Sequence, residues 1–406
     1  MKKIMANSLK VIPAVLLLMV AFFAGCAEDP SPVLWDDPTY KGGAAPVISA
    51  IIPADSAFAV VDEITITGTN FLPDTTQTSV YFNNKKVQIT ALSATSITVI
   101  SPNIVSDSIM IRVVTQNSVE MSNKVQYKLL EGFGPYFAFK EKEDKPTSMT
   151  FNKNGDLYVS MIVNGVGAGV KRVYNDNGEL KIADYAPKGA ETNWSGLKFG
   201  RDGILYGSKK LRGIWQINAG VAPTNAPWVQ TAGNVSDFDF DQNGQIWAAG
   251  IGANVYNIDP ATKVVTNTAF QMEVISVRVF GDKLLLGGKK DGKQVVYEFT
   301  INGKALTNGR VLFDVTAFEA TFTVSAITVA SDGTIYIGGN GADPIIQLTP
   351  AGTASYLFAG RLIPTALAFG WAPGSKYMLY TKEGTPQTIY RVFVGKTTAP
   401  FYGLGN

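Results

Sequence analysis

One sequence unit occurs six times between residues 132 and 406, and this repetition limits the possible folds more than any other feature. In the clearest copies, two apolar stretches flank an Asn-Gly or Asp-Gly pair, as at Asn154-Gly155, Asp202-Gly203, Asn243-Gly244 and Asp332-Gly333. Such a pair between two strands is the strongest local signal for a β-hairpin. Equivalent positions are 48, 41, 39, 50 and 40 residues apart, if they are taken as Met149, Leu197, Phe238, Val277, Ile327 and Leu367.

Each unit has room for four strands. In the first unit the hairpin is followed by two further strand patterns, Val170–Tyr174 and Leu180–Tyr185. Four strands at this period are typical of a propeller blade, so residues 132–406 are predicted to form a six-bladed β-propeller. The repeats resemble those of NHL-type propellers. Tyr136–Phe139 is expected to pair with the last blade and close the ring, with Thr397–Tyr402 as the alternative.

Residues 46–130 have a different pattern, with short strands that alternate apolar and polar residues between turns. Ile64–Phe71 is the clearest, and it ends in a Gly-Thr-Asn turn. Strands of this length and spacing predict an all-β sandwich. The order Ile-x-Pro, Ile-Thr-Gly-Thr-Asn-Phe, Val-Tyr-Phe-Asn and Ser-Pro resembles an IPT/TIG domain, an immunoglobulin-like module. The resemblance implies that this part is a spacer. The fold class expected for the whole chain is therefore all-β, with this sandwich followed by the propeller.

The N-terminus has the pattern of an export signal. Lys2 and Lys3 precede an apolar run, Val11–Ala24, that is short for a membrane span and ends in small residues. Residues 23–26, Phe-Ala-Gly-Cys, resemble a bacterial lipobox, although Phe replaces the usual Leu. The resemblance implies that residues 1–25 are a lipoprotein signal peptide and that Cys26 is lipidated. An ordinary signal peptide is the alternative. Residues 26–45 are expected to be a flexible tether.

Composition excludes several kinds of site. The chain has no His and one Cys, so it can build no Ser-His-Asp triad, Cys-His pair or His-ligated zinc site. Lys and Arg number 35 against 33 acidic residues. Without residues 1–25, which contain three Lys and no acid, the balance is 32 against 33, a formal charge of −1. Nothing in this balance predicts nucleic-acid binding.

The propeller face with the longer connections is the predicted site, because binding residues tend to lie on variable loops that a rigid scaffold supports. The expected loops include residues 161–169, 208–213 and 287–293. The candidate ligand-binding residues are Trp194, Lys209, Lys210, Arg212, Lys289, Phe318, Arg361 and Lys382. An exposed indole beside cations suits sugars that bear carboxylate or sulfate. Alternatively, the charges solvate this face and Trp194 packs between blades.

No cofactor is predicted. Residues 239–244, Asp-Phe-Asp-Gln-Asn-Gly, imitate the start of an EF-hand loop, but the twelfth position is Gly250 and the segment is predicted to be a hairpin. A structural calcium ion in the central channel, as in some propeller lactonases, stays open, although no convergent carboxylates are evident.

The layout of anchor, tether, spacer and propeller resembles glycan-binding lipoproteins of Bacteroidota. It implies a non-catalytic protein, lipid-anchored in the outer membrane and exposed at the cell surface, that binds a polysaccharide or oligosaccharide beside an outer-membrane transporter. The same fold supports unrelated functions. One alternative is a propeller enzyme, either a lactonase-like hydrolase or a polysaccharide lyase. The other is a protein-binding scaffold of the cell envelope.

Overall fold

The computed structural model describes residues 42–139, 145–189, 193–382 and 388–405. Cys26, the signal peptide and most of the tether lie outside these residues. The described chain is almost entirely β-strand, as the sequence predicts. No helix in its four described ranges has the length and apolar character needed to cross a membrane.

The first domain is a sandwich of two sheets. Its strands are Val47–Ile52 (β1), Ser56–Phe58 (β2), Glu63–Thr69 (β3), Thr78–Phe82 (β4), Lys85–Val87 (β5), Ile89–Leu92 (β6), Ser96–Ile100 (β7), Ser106–Thr115 (β8) and Val125–Leu130 (β9). One sheet has the strand order β1-β3-β7-β6, and the other has the order β2-β9-β8-β4-β5. Alternate residues of β3 are buried, which is the pattern of a strand with one face on a core. Ile64, Phe82 and Ile111 are fully buried between the sheets. The predicted immunoglobulin-like sandwich is confirmed.

The second domain is the predicted six-bladed propeller. The first three blades use the strands Lys145–Phe151 (β11), Leu157–Val163 (β12), Val166–Asp176 (β13), Glu179–Ala186 (β14), Gly196–Phe199 (β15), Leu205–Ser208 (β16), Trp215–Ile217 (β17), Asp237–Phe240 (β18), Ile246–Ala249 (β19), Ile251–Ile258 (β20) and Val265–Phe280 (β21). β21 serves two blades, because its first half pairs with β20 and its second half is the innermost strand of the fourth blade.

The last three blades use the strands Lys283–Lys290 (β22), Lys293–Asn302 (β23), Ala305–Asp314 (β24), Val324–Val329 (β25), Ile335–Gly339 (β26), Ile345–Leu348 (β27), Ala354–Tyr356 (β28), Phe369–Trp371 (β29), Tyr377–Thr381 (β30) and Thr388–Phe393 (β31). A short helix, Val315–Phe318 (α1), connects the fourth and fifth blades, and a 3-10 turn spans Tyr402–Leu404. The innermost strands β11, β15, β18, β21, β25 and β29 surround a central channel.

The ring is closed by a strand from the start of the domain. Phe133–Ala138 (β10) pairs antiparallel with β31 and becomes the outer strand of the sixth blade. This is the first of the two closures that the sequence leaves open. The blade therefore combines the two ends of the propeller sequence, and hydrogen bonds between them hold the ring together.

The second blade differs from the four-strand prediction. Within the described residues its sheet contains β15, β16 and β17, and two isolated bridges, Leu211–Val235 and Ile214–Val229, stand beside them. The segment that would supply a fourth strand contains Pro223 and Pro227. Proline has no backbone N–H to donate to a ladder, so this segment does not extend the sheet.

The C-terminal segment covers one end of the channel instead of joining a blade. Its backbone pairs with the fifth blade at Ala330, and Tyr402 accepts a hydrogen bond from Arg201 of the second blade. Between these points the ring of Phe401 lines the channel and lies 4.0 Å from the guanidinium of Arg278. The contacts lie where the innermost strands end. The C-terminal segment therefore lies across this end of the channel.

The two domains are in direct contact. Phe58 stacks on Phe393 of the sixth blade, and Glu131 forms an ion pair with Arg391. The hydroxyl of Tyr377 donates a hydrogen bond to the Glu131 carbonyl oxygen. The sandwich is thus fixed against the blade that closes the ring.

Candidate functional site

A cavity of 660 Å³ opens on the face where the innermost strands begin, opposite the C-terminal segment. The residues at its wall come from the first positions of those strands and from the connections around them. They are Thr147, Ile162, Asn193, Trp194, Ser195, Lys209, Lys210, Glu273, Ile275, Lys289, Gln294, Thr323, Val324, Ser325 and Leu367. Four of the candidate residues, Trp194, Lys209, Lys210 and Lys289, therefore lie around one cavity on the predicted face.

Two of the expected loops on this face are hairpins. Asn164-Gly165 joins β12 to β13, and Asp291-Gly292 joins β22 to β23, each with positive φ at both residues. These angles are those of a type I′ turn, which matches the twist of paired strands. The expected variable loops at residues 161–169 and 287–293 are thus extended strands with tight turns.

The expectation that the indole of Trp194 is exposed is wrong. The residue is 1% exposed and packs with Trp215 and Leu197 in the core between the first two blades. Its backbone is held as well, since its N–H donates to Ser160 and its carbonyl oxygen accepts from Ser148. An indole buries more apolar surface than other side chains, so packing between blades is favoured over exposure.

Lys209 lies over the two buried indoles. Its Nζ is 4.8 Å from a ring centroid of Trp194 and 4.1 Å from that of Trp215, and its side chain is also buried. An ammonium group over the face of an aromatic ring is attracted by the ring's quadrupole, most strongly over tryptophan. The two rings thus hold the Lys209 charge at the wall of the cavity.

Lys210 and Lys289 are exposed at the same cavity, Lys210 on the connection between β16 and β17 and Lys289 near the end of β22. Lys210 has a φ of 61°, in the left-handed region that few residues other than glycine adopt. Lys289 lies opposite Glu273 in the β21–β22 ladder. The described lining residues therefore carry three ammonium groups and one carboxylate.

A polar pair lies deeper in the channel. Lys198 Nζ is 3.5 Å from Asp237 Oδ1, and the other carboxylate oxygen accepts hydrogen bonds from Ser276 Oγ and the Val277 N–H. Burial raises the pKa of Asp237, and Lys198 acts against this shift. These residues are not among the candidates predicted from the sequence. The signal that could have found them is a charged residue within an otherwise apolar innermost strand. Asp239 and Arg278 have the same signal.

These acidic residues do not fit a calcium site. Within the described chain, no three or more Asp, Glu, Cys or His side chains lie close enough together to hold a metal ion. Asp237 is bound by donors from neighbouring strands, Asp239 forms a buried ion pair with Arg278, and Asp241 accepts from Trp247 Nε1. The EF-hand-like sequence is part of a hairpin, and its carboxylates have separate protein partners.

The other four candidates do not line the cavity, and two have clear structural partners. Arg361 donates to the Val61 carbonyl oxygen and pairs with Glu63, so it belongs to the contact between domains. Phe318 was expected to be exposed, but it is half-buried against Phe313 and Tyr356 because α1 lies over the core between the fourth and fifth blades. Arg212 is exposed, and Lys382 is half-buried just after the end of β30.

Comparison with known families identifies the first domain. Residues 46–128 match the family model of the IPT/TIG domain. This part of the chain is an IPT/TIG domain. No curated protein sequence matches the chain.

Solved structures resemble this chain in fold, one over most of its length and one over about two thirds of it. An auxiliary nutrient binding protein from Bacteroides thetaiotaomicron VPI-5482 is 10% identical, with a TM-score of 0.53, and the match covers 86% of this chain and 97% of that one. Regucalcin, a calcium-binding protein from Agrobacterium tumefaciens str. C58, is 12% identical, with a TM-score of 0.50, over 66% of this chain and 96% of its own. At these identities the likeness concerns the fold alone.

Proposed function

We propose that this protein is a non-catalytic cell-surface lipoprotein that binds extracellular glycan in the 660 Å³ cavity. The observation that carries the proposal is the convergence of Lys209, Lys210 and Lys289 with Ser, Thr, Asn and Gln side chains around one cavity. Hydroxyl and amide groups can pair with sugar hydroxyls, and a concave site with a few convergent polar groups is the usual form of a ligand site. The nutrient-binding name of the similar Bacteroides protein agrees with this reading.

The proposal includes the attachment of the protein to the outer membrane. Cys26 is the lipidation site, residues 26–45 are the tether, and the IPT/TIG domain is a spacer below an NHL-type propeller. More than one acyl chain on Cys26 would give stable anchoring, since a single chain binds membranes only marginally. A partner transporter in the outer membrane would take up the bound glycan. Radiolabelled palmitate that is incorporated by the wild type and not by Cys26→Ser would support this part.

The test of glycan binding uses the chain from residue 26 onward with Cys26→Ser, which removes the signal peptide and prevents lipidation. A panel of neutral and acidic polysaccharides is tested for retention of the protein, and the glycans are then analysed for cleavage. Retention of one glycan class without cleavage supports the proposal. Cleavage would assign the protein to the enzyme class, and binding of no glycan would favour the protein-binding scaffold.

A further inference from the structure

We infer that the cavity recognises an anionic group of its glycan, a carboxylate or sulfate, by charge, and that Trp194 and Trp215 position Lys209 for this task. The inference rests on the proposed function and names the class of ligand. It also gives the indoles a different role from the one the sequence suggests, in which Trp194 stacks on a sugar ring.

The burial of the indoles argues against stacking. A sugar ring stacks on an aromatic side chain only where a ring face is open to the ligand. Trp194 and Trp215 are 1% and 3% exposed. The Lys209 ammonium group lies over a face of each ring. These rings can act on a ligand only through Lys209.

The charges around the cavity favour an anion. Lys209, Lys210 and Lys289 meet there with Glu273 as the acidic lining residue of the described chain. Basic and acidic residues are nearly equal in number in the whole sequence, 35 against 33. Among the described lining residues cations therefore outnumber the acid although the whole sequence is nearly neutral, and a concave site with low-dielectric walls concentrates the field of its charges.

The three lysines lie at two levels and on two sides of the cavity. Lys209 is buried against the indoles, whereas the next residue, Lys210, is exposed in a left-handed backbone conformation. Lys289 comes from the β22–β23 hairpin of another blade. A lysine side chain is flexible, and fixing it costs conformational entropy. The two indoles reduce that cost for Lys209 before the ligand arrives, which is what we mean by positioning.

The experiment compares three probes of similar length: a polyuronate, a sulfated galactan and a neutral glucan. Binding is measured by calorimetry with the chain from residue 26 onward carrying Cys26→Ser, at low and high salt. We expect tighter binding of an acidic probe and weaker binding of it at high salt, because salt screens charges. The polyuronate and sulfated arms show which anionic group the site prefers.

Lys210→Gln and Lys289→Gln should each weaken binding of the preferred acidic probe by about tenfold, which is the order of one charge-assisted contact. Binding of the neutral glucan should weaken less than binding of the acidic probe. Arg212→Gln is the matched control, because it removes an exposed positive charge from the same connection as Lys210 without touching the cavity wall.

The positioning role needs its own variants. Trp215→Phe keeps an aromatic face below Lys209, and Trp215→Leu removes it. We expect the leucine variant to lose affinity for the acidic probe, as Lys209→Met does, and the phenylalanine variant to retain most of it. Thermal unfolding identifies variants that fail to fold. A merely structural role would weaken binding of acidic and neutral probes equally in both Trp215 variants.

The outcomes separate this inference from the proposed function. Equal binding of neutral and acidic probes, or acidic binding that Lys210→Gln and Lys289→Gln leave unchanged, would overturn the inference and leave glycan binding intact. Binding of none of the probes by the unsubstituted protein would remove the proposed function, and this inference with it.

Discussion

The ring of Phe58 in the IPT/TIG domain lies parallel to the ring of Phe393 in the sixth blade, with centroids 3.6 Å apart and planes inclined by 15°. Arg361 joins the domains at a second point through Val61 and Glu63. The interface thus combines an apolar stack with a charge-assisted contact, and it involves the blade that contains both ends of the propeller. Unfolding of one domain should affect the other.

Phe58→Ala should uncouple the domains. The change removes the stack on Phe393 and should cost about 1–3 kcal/mol of interface free energy, below the value for a fully buried phenylalanine because Phe58 is half-buried. Differential scanning calorimetry should show one transition for the wild type and two for the variant. Val119→Ala, at a site 76% exposed in the same domain, is the control. A single unshifted transition in Phe58→Ala would contradict the coupling.

Breaking the ion pair between Arg278 and Asp239 should be strongly destabilising. Both side chains are 2% exposed, and Arg278 also donates to the carbonyl oxygens of Ala399 and Pro400 in the C-terminal segment. Asp239→Asn leaves the guanidinium charge buried without its carboxylate, so we expect a loss of about 3–5 kcal/mol in chemical denaturation. The C-terminal segment should also become more accessible to proteases.

The matched control for this pair is Asp156→Asn. Asp156 pairs with Arg172, whose side chain is 42% exposed. A pair that solvent reaches contributes about 0–1 kcal/mol. Similar losses in the free energy of unfolding for the two substitutions would show that the buried ion pair contributes no more to stability than the pair that solvent reaches.

The stability of the protein should depend on the ionisation of Asp237. Burial raises the pKa of this carboxyl above its ordinary value of 3.8, so the folded protein binds the proton more tightly than the unfolded chain does. The contribution of Asp237 to stability therefore falls as pH rises from 3.8 through the raised pKa. Asp237→Asn lacks this loss and should gain stability relative to the wild type across that window. Urea unfolding at several pH values measures the difference in unfolding free energy between the variant and the wild type. A wild type that gains stability relative to the variant as pH rises would contradict the raised pKa of Asp237.

The tight turn at Gly292 should require glycine for its backbone angle alone. Its φ is +83°, and an added Cβ would meet no atom within 4 Å. Gly292→Ala should therefore cost about 1 kcal/mol, the strain of a left-handed conformation. Gly252 is equally open but lies outside the left-handed region, so Gly252→Ala should be neutral or slightly stabilising. Equal unfolding midpoints for the two variants would contradict this explanation.

Much of the fold was predictable because hairpin turns and strand alternation are local signals. The pairs at Asn154-Gly155 and Asp332-Gly333 define blades, and Ile64 to Phe71 defines a sandwich strand. Asn164-Gly165 and Asp291-Gly292 are equally good turn signals, although longer loops were expected at both places. Both pairs lie on the cavity face, where long connections were expected, yet they form tight turns as their local sequence predicts.

The candidate site was predictable only in part, because exposure depends on neighbours that are distant in sequence. Trp194 follows a connection between blades, where an exposed side chain is plausible, but its burial depends on packing with Trp215 and Leu197. Arg361 lies on the expected face, yet it contacts residues about 300 positions earlier. Lys209, Lys210 and Lys289 were found because lysines on a loop face are visible in the sequence.

The C-terminal segment lies across the end of the channel opposite the cavity, where Phe401 is one of the lining residues. A ligand of the proposed kind would therefore approach from the face of Lys210 and Lys289. A polymer that lies across that opening and lowers a side group inward needs no free chain end, so one polymer could hold many copies of the protein along its length.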